Sequence, residues 1–530
     1  MPDPSALKLI YMALVRSKLD TYALLLEKIQ KAFLRFAFDG VFAFYGIPYA
    51  SAPTGPNKFK PASPGPNWSE PIDAIDKGII CPQGPSPMSA KLADKQQEDC
   101  LIANIYVPDT DEINLPVVVI VHGGGYQIGY GTMMEPRSLI KSKKIVAVSF
   151  NYRLGAHGFL CLGTEDAPGN AGMKDQVALL RWVKNNIANF GGNPNDVTIT
   201  GYSAGSSAVD LLQLSRTTDG LISKVILESG ANVAVFSVQL DPLQNAKDYA
   251  KQLNFNNVDD IYALEGFYKN LPLDKLLSDI FGTKKDSNFV FSPCVERDIG
   301  EERFLEDTPV NILRGGKYKK LPMLYGFAEL EGLFRLGFNV FESWKHEMNE
   351  KFSDFLPADL EFSSEDEKEV VAKEIKEFYF RDKTISEETI LSYIDYFTDV
   401  AFAYPTLRSV RLQVEAGNDK VYLYEYSFVG EETPMYELNE KYGVRGADHG
   451  AQSYAWLNFM TTGSPVAAGS EYPPWPPARA NGGPHMSLDE QIELRGPLLA
   501  RRARFWDGIY ARYYRQPVPP PAPPPKHAEL

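Results

Sequence analysis

The chain has 530 residues, of which 44% are hydrophobic, and a formal net charge of −14. Nucleic-acid phosphates demand a basic face, so an acidic balance excludes a general nucleic-acid partner. A charged fraction of 23% with 12% aromatics excludes bulk disorder, and no run approaches the roughly 18 uncharged apolar residues of a membrane-spanning helix.

In residues 1–36, Tyr22, Leu25, Leu26, Ile29, Phe33 and Phe36 recur at helical spacing, with Lys8, Arg16, Lys18, Lys28, Lys31 and Arg35 along the segment. The pattern predicts a basic amphipathic helix, packed on the following domain in preference to docking on a membrane surface. A cleavable secretory signal is disfavoured, because Asp3 comes early and the apolar run Leu9 to Val15 stops at Arg16. Asn67-Trp68-Ser69 is a glycosylation sequon of the kind that arises by chance. Cys81 and Cys100 flank a polar, Pro-rich stretch able to close as a loop, whereas Cys161 and Cys294 read as buried free thiols.

Pro116 to Val121, Lys144 to Phe150 and Val197 to Thr200 are apolar runs of buried-strand length. Lys174 to Ile187 has the period of an amphipathic helix, and strand, helix, strand in that order predicts a doubly wound α/β sheet with right-handed crossovers. No stretch within 37–515 reads as a flexible linker, so three units are expected: 1–36, a single domain over 37–515, and a tail over 516–530. Pro517 to Pro525 holds seven prolines, a composition expected to stay extended and bury nothing. Lys526 to Leu530 is a degenerate likeness of an endoplasmic-reticulum retention signal.

Gly201-Tyr202-Ser203-Ala204-Gly205 stands between the strand ending at Thr200 and the helical stretch Ser206 to Leu214. A serine on such a turn projects its hydroxyl above the sheet edge, and the helix N-terminus favours developing negative charge. Ser203 is therefore the candidate nucleophile. Acyl transfer also needs donors for an oxyanion, and His122-Gly123-Gly124-Gly125-Tyr126 follows the strand ending at Val121. The N-H groups of Gly124, Gly125 and Ala204 are the candidate oxyanion hole, where one lost donor typically costs about 10² to 10³ in rate.

A serine hydroxyl needs a base, and the chain offers six histidines. His122 precedes the glycine loop, His157 lies in an Asn-Tyr-Arg segment, His527 is in the tail, and His346 and His485 fall in surface-like stretches. His449, in Gly446-Ala447-Asp448-His449-Gly450, remains as the candidate base, in the nucleophile, acid, histidine order of this fold.

These segments together resemble the type-B carboxylesterases of the carboxylesterase and cholinesterase family. The resemblance runs over about residues 38–515 and is carried by Gly46 to Ala50, Glu98 to Leu101, the glycine loop, Asn151-Tyr152-Arg153, Gly169 to Gly172 with Asp175, Phe190 to Pro194, the Ser203 turn, Asn458-Phe459, Thr462 to Pro465 and Phe505-Trp506. It implies an α/β-hydrolase fold with a mostly parallel central sheet, the active site in a gorge, and hydrolysis through a Ser-His-Glu triad and an acyl-enzyme, with no metal or cofactor. It further implies Glu331, followed by Gly332, as the triad acid in preference to Glu329, and a disulfide between Cys81 and Cys100. A bridge of that kind favours an oxidising compartment, the endoplasmic reticulum or the exterior, over the cytoplasm.

Two departures stand out: Tyr202 occupies a position most often glutamate, and Gln452 one often acidic. The cholinesterase tryptophan between the first two cysteines has no counterpart in Pro82 to Asp99, which disfavours choline esters. The expected substrate is a neutral, mainly hydrophobic small ester, with Tyr126, Phe289, Phe291 and Phe334 as candidate gorge residues. The alternatives are a slow-turnover protein that sequesters esters or organophosphates, and a non-catalytic adhesion protein like the neuroligins, against which the serine counts. Oligomeric state is not readable from the sequence.

Overall fold

The run Val117 to Val121 alternates between two apolar layers, with Val117, Val119 and Val121 in one cluster and Val118 and Ile120 in another. Burial on both faces is the condition under which a strand reads as continuous aliphatic sequence. The computed structural model describes residues 33–524 apart from 35, 39, 67–71, 87–88, 277–283, 339, 431–435, 452–455 and 468. Among the described residues eleven strands form the main sheet. In chain order they are β1 (Phe36–Phe38), β2 (Val41–Pro48), β3 (Ile102–Pro108), β4 (Leu115–Val121), β5 (Val146–Phe150), β6 (Gly192–Tyr202), β7 (Lys224–Glu228), β8 (Met323–Ala328), β9 (Val421–Tyr426), β10 (His485–Leu488) and β11 (Ile492–Arg495).

Across the sheet the order is β11-β10-β9-β8-β7-β6-β4-β5-β3-β2-β1. The strands from β10 to β5 run parallel, while β11 at one edge and β3, β2 and β1 at the other are antiparallel to their neighbours. This is the α/β-hydrolase arrangement expected. Helices that position the site are α1 (Ala171–Asn186), α2 (Ala204–Leu214), α3 (Leu333–Gly337), α4 (Tyr404–Glu415) and α5 (Ala500–Tyr513). The expected helix from Lys174 thus begins three residues earlier.

The Asn-Tyr-Arg segment ties the loops below the site together. Arg153 is fully buried, paired with Asp175 through Nη2 to Oδ1 at 2.6 Å and Nε to Oδ2 at 2.8 Å, and it donates from Nη1 to the carbonyls of Lys58 and Lys60. A buried guanidinium without such partners would be costly, so both members are needed together.

Three expectations are corrected. First, Phe33–Leu34 and Phe36–Phe38 are strands, not the end of a helix over 1–36, and Phe33–Leu34 pairs in parallel with Ile72–Asp73; residues 1–32 lie outside the described residues. Second, Cys161 and Cys294 are not free thiols: they form a disulfide, alongside the Cys81–Cys100 bridge. Asn170 holds the partner segment in place, donating from Nδ2 to the Cys294 carbonyl and accepting from its N-H, both at 2.8 Å. Gly169 lies against both sulfurs, where a Cβ would sit 2.6 and 2.8 Å away. Third, the described part of the proline tail does not hang free. Val518 N-H donates to Leu240, Thr308 Oγ1 to Gln516 Oε1, Tyr262 OH to the Pro524 carbonyl, and Pro517 and Pro520 are buried. An extended proline segment has rigid apolar rings and little entropy to lose, which is why it can lie in a groove without forming secondary structure.

Candidate active site

Ser203 follows the last residue of β6 and stands immediately before α2, with φ 57° and ψ −130°. That left-handed backbone is strained for a residue with a Cβ and survives only where the surroundings enforce it. The flanking glycines do so: a Cβ on Gly201 would lie 2.4 Å from the Gly205 backbone, and one on Gly205 would lie 2.3 Å from the Val121 carbonyl. The Ser203 N-H donates to the Glu228 carbonyl at 2.8 Å, tying the turn to the end of β7.

The glycine loop faces this turn. Gly124 has φ 105° and Gly125 φ 64°, and a Cβ on Gly123 would lie 3.1 Å from Ser203 Cβ. The Gly124 carbonyl accepts from the N-H groups of Gln127 and Ile128 at 3.0 Å. Among the described residues the N-H groups of Gly124, Gly125 and Ala204 have no acceptor, so three donors are left in the neighbourhood of the serine. His122 orders the loop. Its ring stacks on Tyr152 at 4.3 Å, its Nδ1 donates to the Gly123 carbonyl at 2.9 Å, and burial pushes its pKa down to about 4, so it stays neutral.

Glu331 is fully buried in the turn between β8 and α3. One carboxylate oxygen accepts from Ser229 Oγ and from the Ala328 N-H, and the other meets His449 Nδ1 at 2.6 Å. The following glycine is sterically required, since a Cβ on Gly332 would lie 2.2 Å from the Ile394 carbonyl. Glu329 is directed elsewhere, toward Ser427 and Arg495, and burial raises its pKa.

His449 keeps 13% of its side chain exposed and is flanked by Phe402 at 4.6 Å, Phe334 at 5.6 Å and Tyr202 at 6.3 Å. Phe334 and Phe402 belong to an aromatic cluster with Phe236, Phe289 and Phe338. Of the four expected gorge residues, Phe334 therefore meets the imidazole and Phe289 stands behind Phe236, whereas Tyr126 and Phe291 pack in the main core. Phe402, Phe236 and Ser229 carry no local sequence signal and were reachable only through the fold. Asp448, beside the histidine, is fully buried, neither carboxyl oxygen has a partner among the described residues, and burial next to Glu331 pushes its pKa up to about 8. Gln452 lies outside the described residues. Among the described residues no group of three or more His, Cys, Asp or Glu is placed to hold a metal ion.

A buried carboxylate on an imidazole, a strained serine and three free N-H donors are the parts acyl transfer needs. Residues 33–455 match the model of the carboxylesterase family. The chain is 33% identical to Esterase FE4 of Myzus persicae over 433 residues, covering 79% of this chain and 76% of that protein. It is 34% identical to a juvenile hormone esterase of Heliothis virescens, covering 74% and 72%. Neuroligin-2 of Mus musculus is 32% identical over 55% of this chain and 39% of its own length. The crystal structure of juvenile hormone esterase from Manduca sexta, with OTFP covalently attached, superposes with a TM-score of 0.77 at 28% identity, covering 90% of this chain and 97% of that one.

Proposed function

The chain belongs to the carboxylesterase family, and we propose that it hydrolyses neutral, mainly hydrophobic small esters in two steps through Ser203, His449 and Glu331. Ser203 attacks the ester carbonyl while His449 takes its proton. The N-H groups of Gly124, Gly125 and Ala204 hold the oxyanion. His449 then returns the proton to the leaving alcohol, and water, activated by the same imidazole, hydrolyses the acyl-enzyme. Glu331 fixes the imidazole tautomer and stabilises the imidazolium without itself being protonated.

The observation that carries this reading is the 2.6 Å contact between Glu331 and His449 Nδ1, which leaves Nε2 as the nitrogen available to Ser203. The phenylalanines around the imidazole support an apolar substrate. The two disulfides support an oxidising compartment, the secretory pathway or the exterior; no helix among the described residues is long and apolar enough to cross a membrane.

The test is hydrolysis of p-nitrophenyl esters from acetate to octanoate by the intact protein and by Ser203→Ala. Steady turnover lost in Ser203→Ala is expected, with longer acyl chains preferred. A burst equal to the enzyme concentration followed by negligible turnover would replace hydrolysis with sequestration, and no reaction in either protein would favour the non-catalytic alternative.

A further inference from the structure

Tyr202 precedes the serine, and its side chain has no role in the mechanism above. Its phenol carbon Cζ lies 3.1 Å from the point where a Cβ on Gly123 would sit, the same distance as Ser203 Cβ, so ring and serine flank one glycine of the donor loop. The ring is also tilted at 52° to the His449 imidazole with centroids 6.3 Å apart. Among the described residues the other rings at the imidazole are Phe334 and Phe402, which carry no hydrogen-bonding group.

The residue is only partly buried, and none of the side-chain hydrogen bonds formed among the described residues, those of the neighbouring Tyr152 and His449 included, involves its hydroxyl. A phenol this close to a nucleophile and without an acceptor of its own is available to a ligand. Burial and the nearby Tyr130 phenol push its pKa up to about 12, so it remains a donor throughout the pH range in which an esterase works.

The chemistry fixes which part of an ester it meets. The imidazole that takes the serine proton must return it to the departing alkoxide, so the alcohol portion lies on the imidazole side of the carbonyl. We infer that Tyr202 is a specificity-determining residue whose hydroxyl donates a hydrogen bond to an acceptor oxygen in the alcohol portion of the ester. This inference rests on the proposed esterase reading. It selects, among apolar esters, those whose alcohol carries an ether, hydroxyl or carbonyl oxygen a few atoms from the ester bond.

The experiment compares 2-methoxyethyl hexanoate with butyl hexanoate, which differ by one oxygen in place of a methylene in the alcohol. kcat/KM for each is measured with the full chain and with Tyr202→Phe. The ratio of the two esters is expected to fall by about threefold to tenfold on losing the hydroxyl, the equivalent of roughly one neutral hydrogen bond. A second pair carries the same exchange in the acyl group, p-nitrophenyl 3-methoxypropanoate against p-nitrophenyl pentanoate, and its ratio is expected to stay fixed. Each ratio is internal to one protein, so a change in the amount of folded enzyme cancels. An alcohol-side ratio that does not move, or an acyl-side ratio that moves equally, overturns the role of Tyr202 while the esterase reading stands. No turnover of butyl hexanoate or of the p-nitrophenyl esters by the unaltered protein overturns both.

Discussion

Glu331 is held by three contacts and His449 by one of them, so the carboxylate is fixed first and the imidazole is oriented on it. Replacing the acid by its amide keeps the shape but allows the wrong tautomer. Glu331→Gln is therefore expected to lower kcat by roughly 10³ to 10⁴ with little change in KM, measured on p-nitrophenyl butanoate. Glu329→Gln, directed away from the imidazole, is expected to stay within about threefold of the parent on the scale of a surface change. Equal losses in the two variants would remove the assignment of the acid. Of the proposed triad, Ser203 and Glu331 sit in short motifs with a steric reason behind them, Gly201 and Gly205 for the serine and Gly332 for the glutamate, whereas His449 is singled out only by elimination among six histidines. Phe402 at the imidazole and Phe236 behind it were not legible, because they come from distant segments and nothing near them in sequence distinguishes a gorge ring from a core ring.

At the scale of elements, the strands β4 and β5 and the end of β6 were readable from apolar runs, since double-sided burial leaves a continuous signature. The Cys161–Cys294 bridge was not, because pairing across 133 residues depends on two loops meeting beneath Asn170. Nor was the docked tail, since prolines lying in a groove and prolines in solvent have the same composition. The bridge is expected to matter: Cys161→Ser with Cys294→Ser should cost about 2 to 5 kcal/mol of unfolding free energy, read as a lower thermal midpoint under non-reducing conditions. An unchanged midpoint would mean that Asn170 and the packing around Gly169 hold the two segments without the covalent link.

Over the whole molecule, burial leaves several carboxyls protonated near neutrality: Asp210 and Glu425 with pKa values near 7, and Asp448 near 8. These folded values lie above the unfolded reference of about 4, so the folded state binds more protons between the two and stability falls as pH rises. The buried histidines act in the opposite sense, His122 having its pKa lowered to about 4, but their effect is complete once pH passes the unfolded value of about 6.5. The thermal midpoint is therefore expected to decline between about pH 6.5 and 8, and Asp448→Asn to flatten that decline. A midpoint that rises over this interval would contradict the burial of these groups as neutral acids.

The Cys161–Cys294 bridge also draws a closed ring of chain, and Ser203 lies inside it while Glu331 and His449 lie outside. A single backbone cut anywhere between the two cysteines leaves the protein one molecule, with the nucleophile still tethered to the rest of its site. Such a nick is invisible on a non-reducing gel and appears as two fragments once the bridge is reduced, so a preparation that looks intact by size can already have been cleaved.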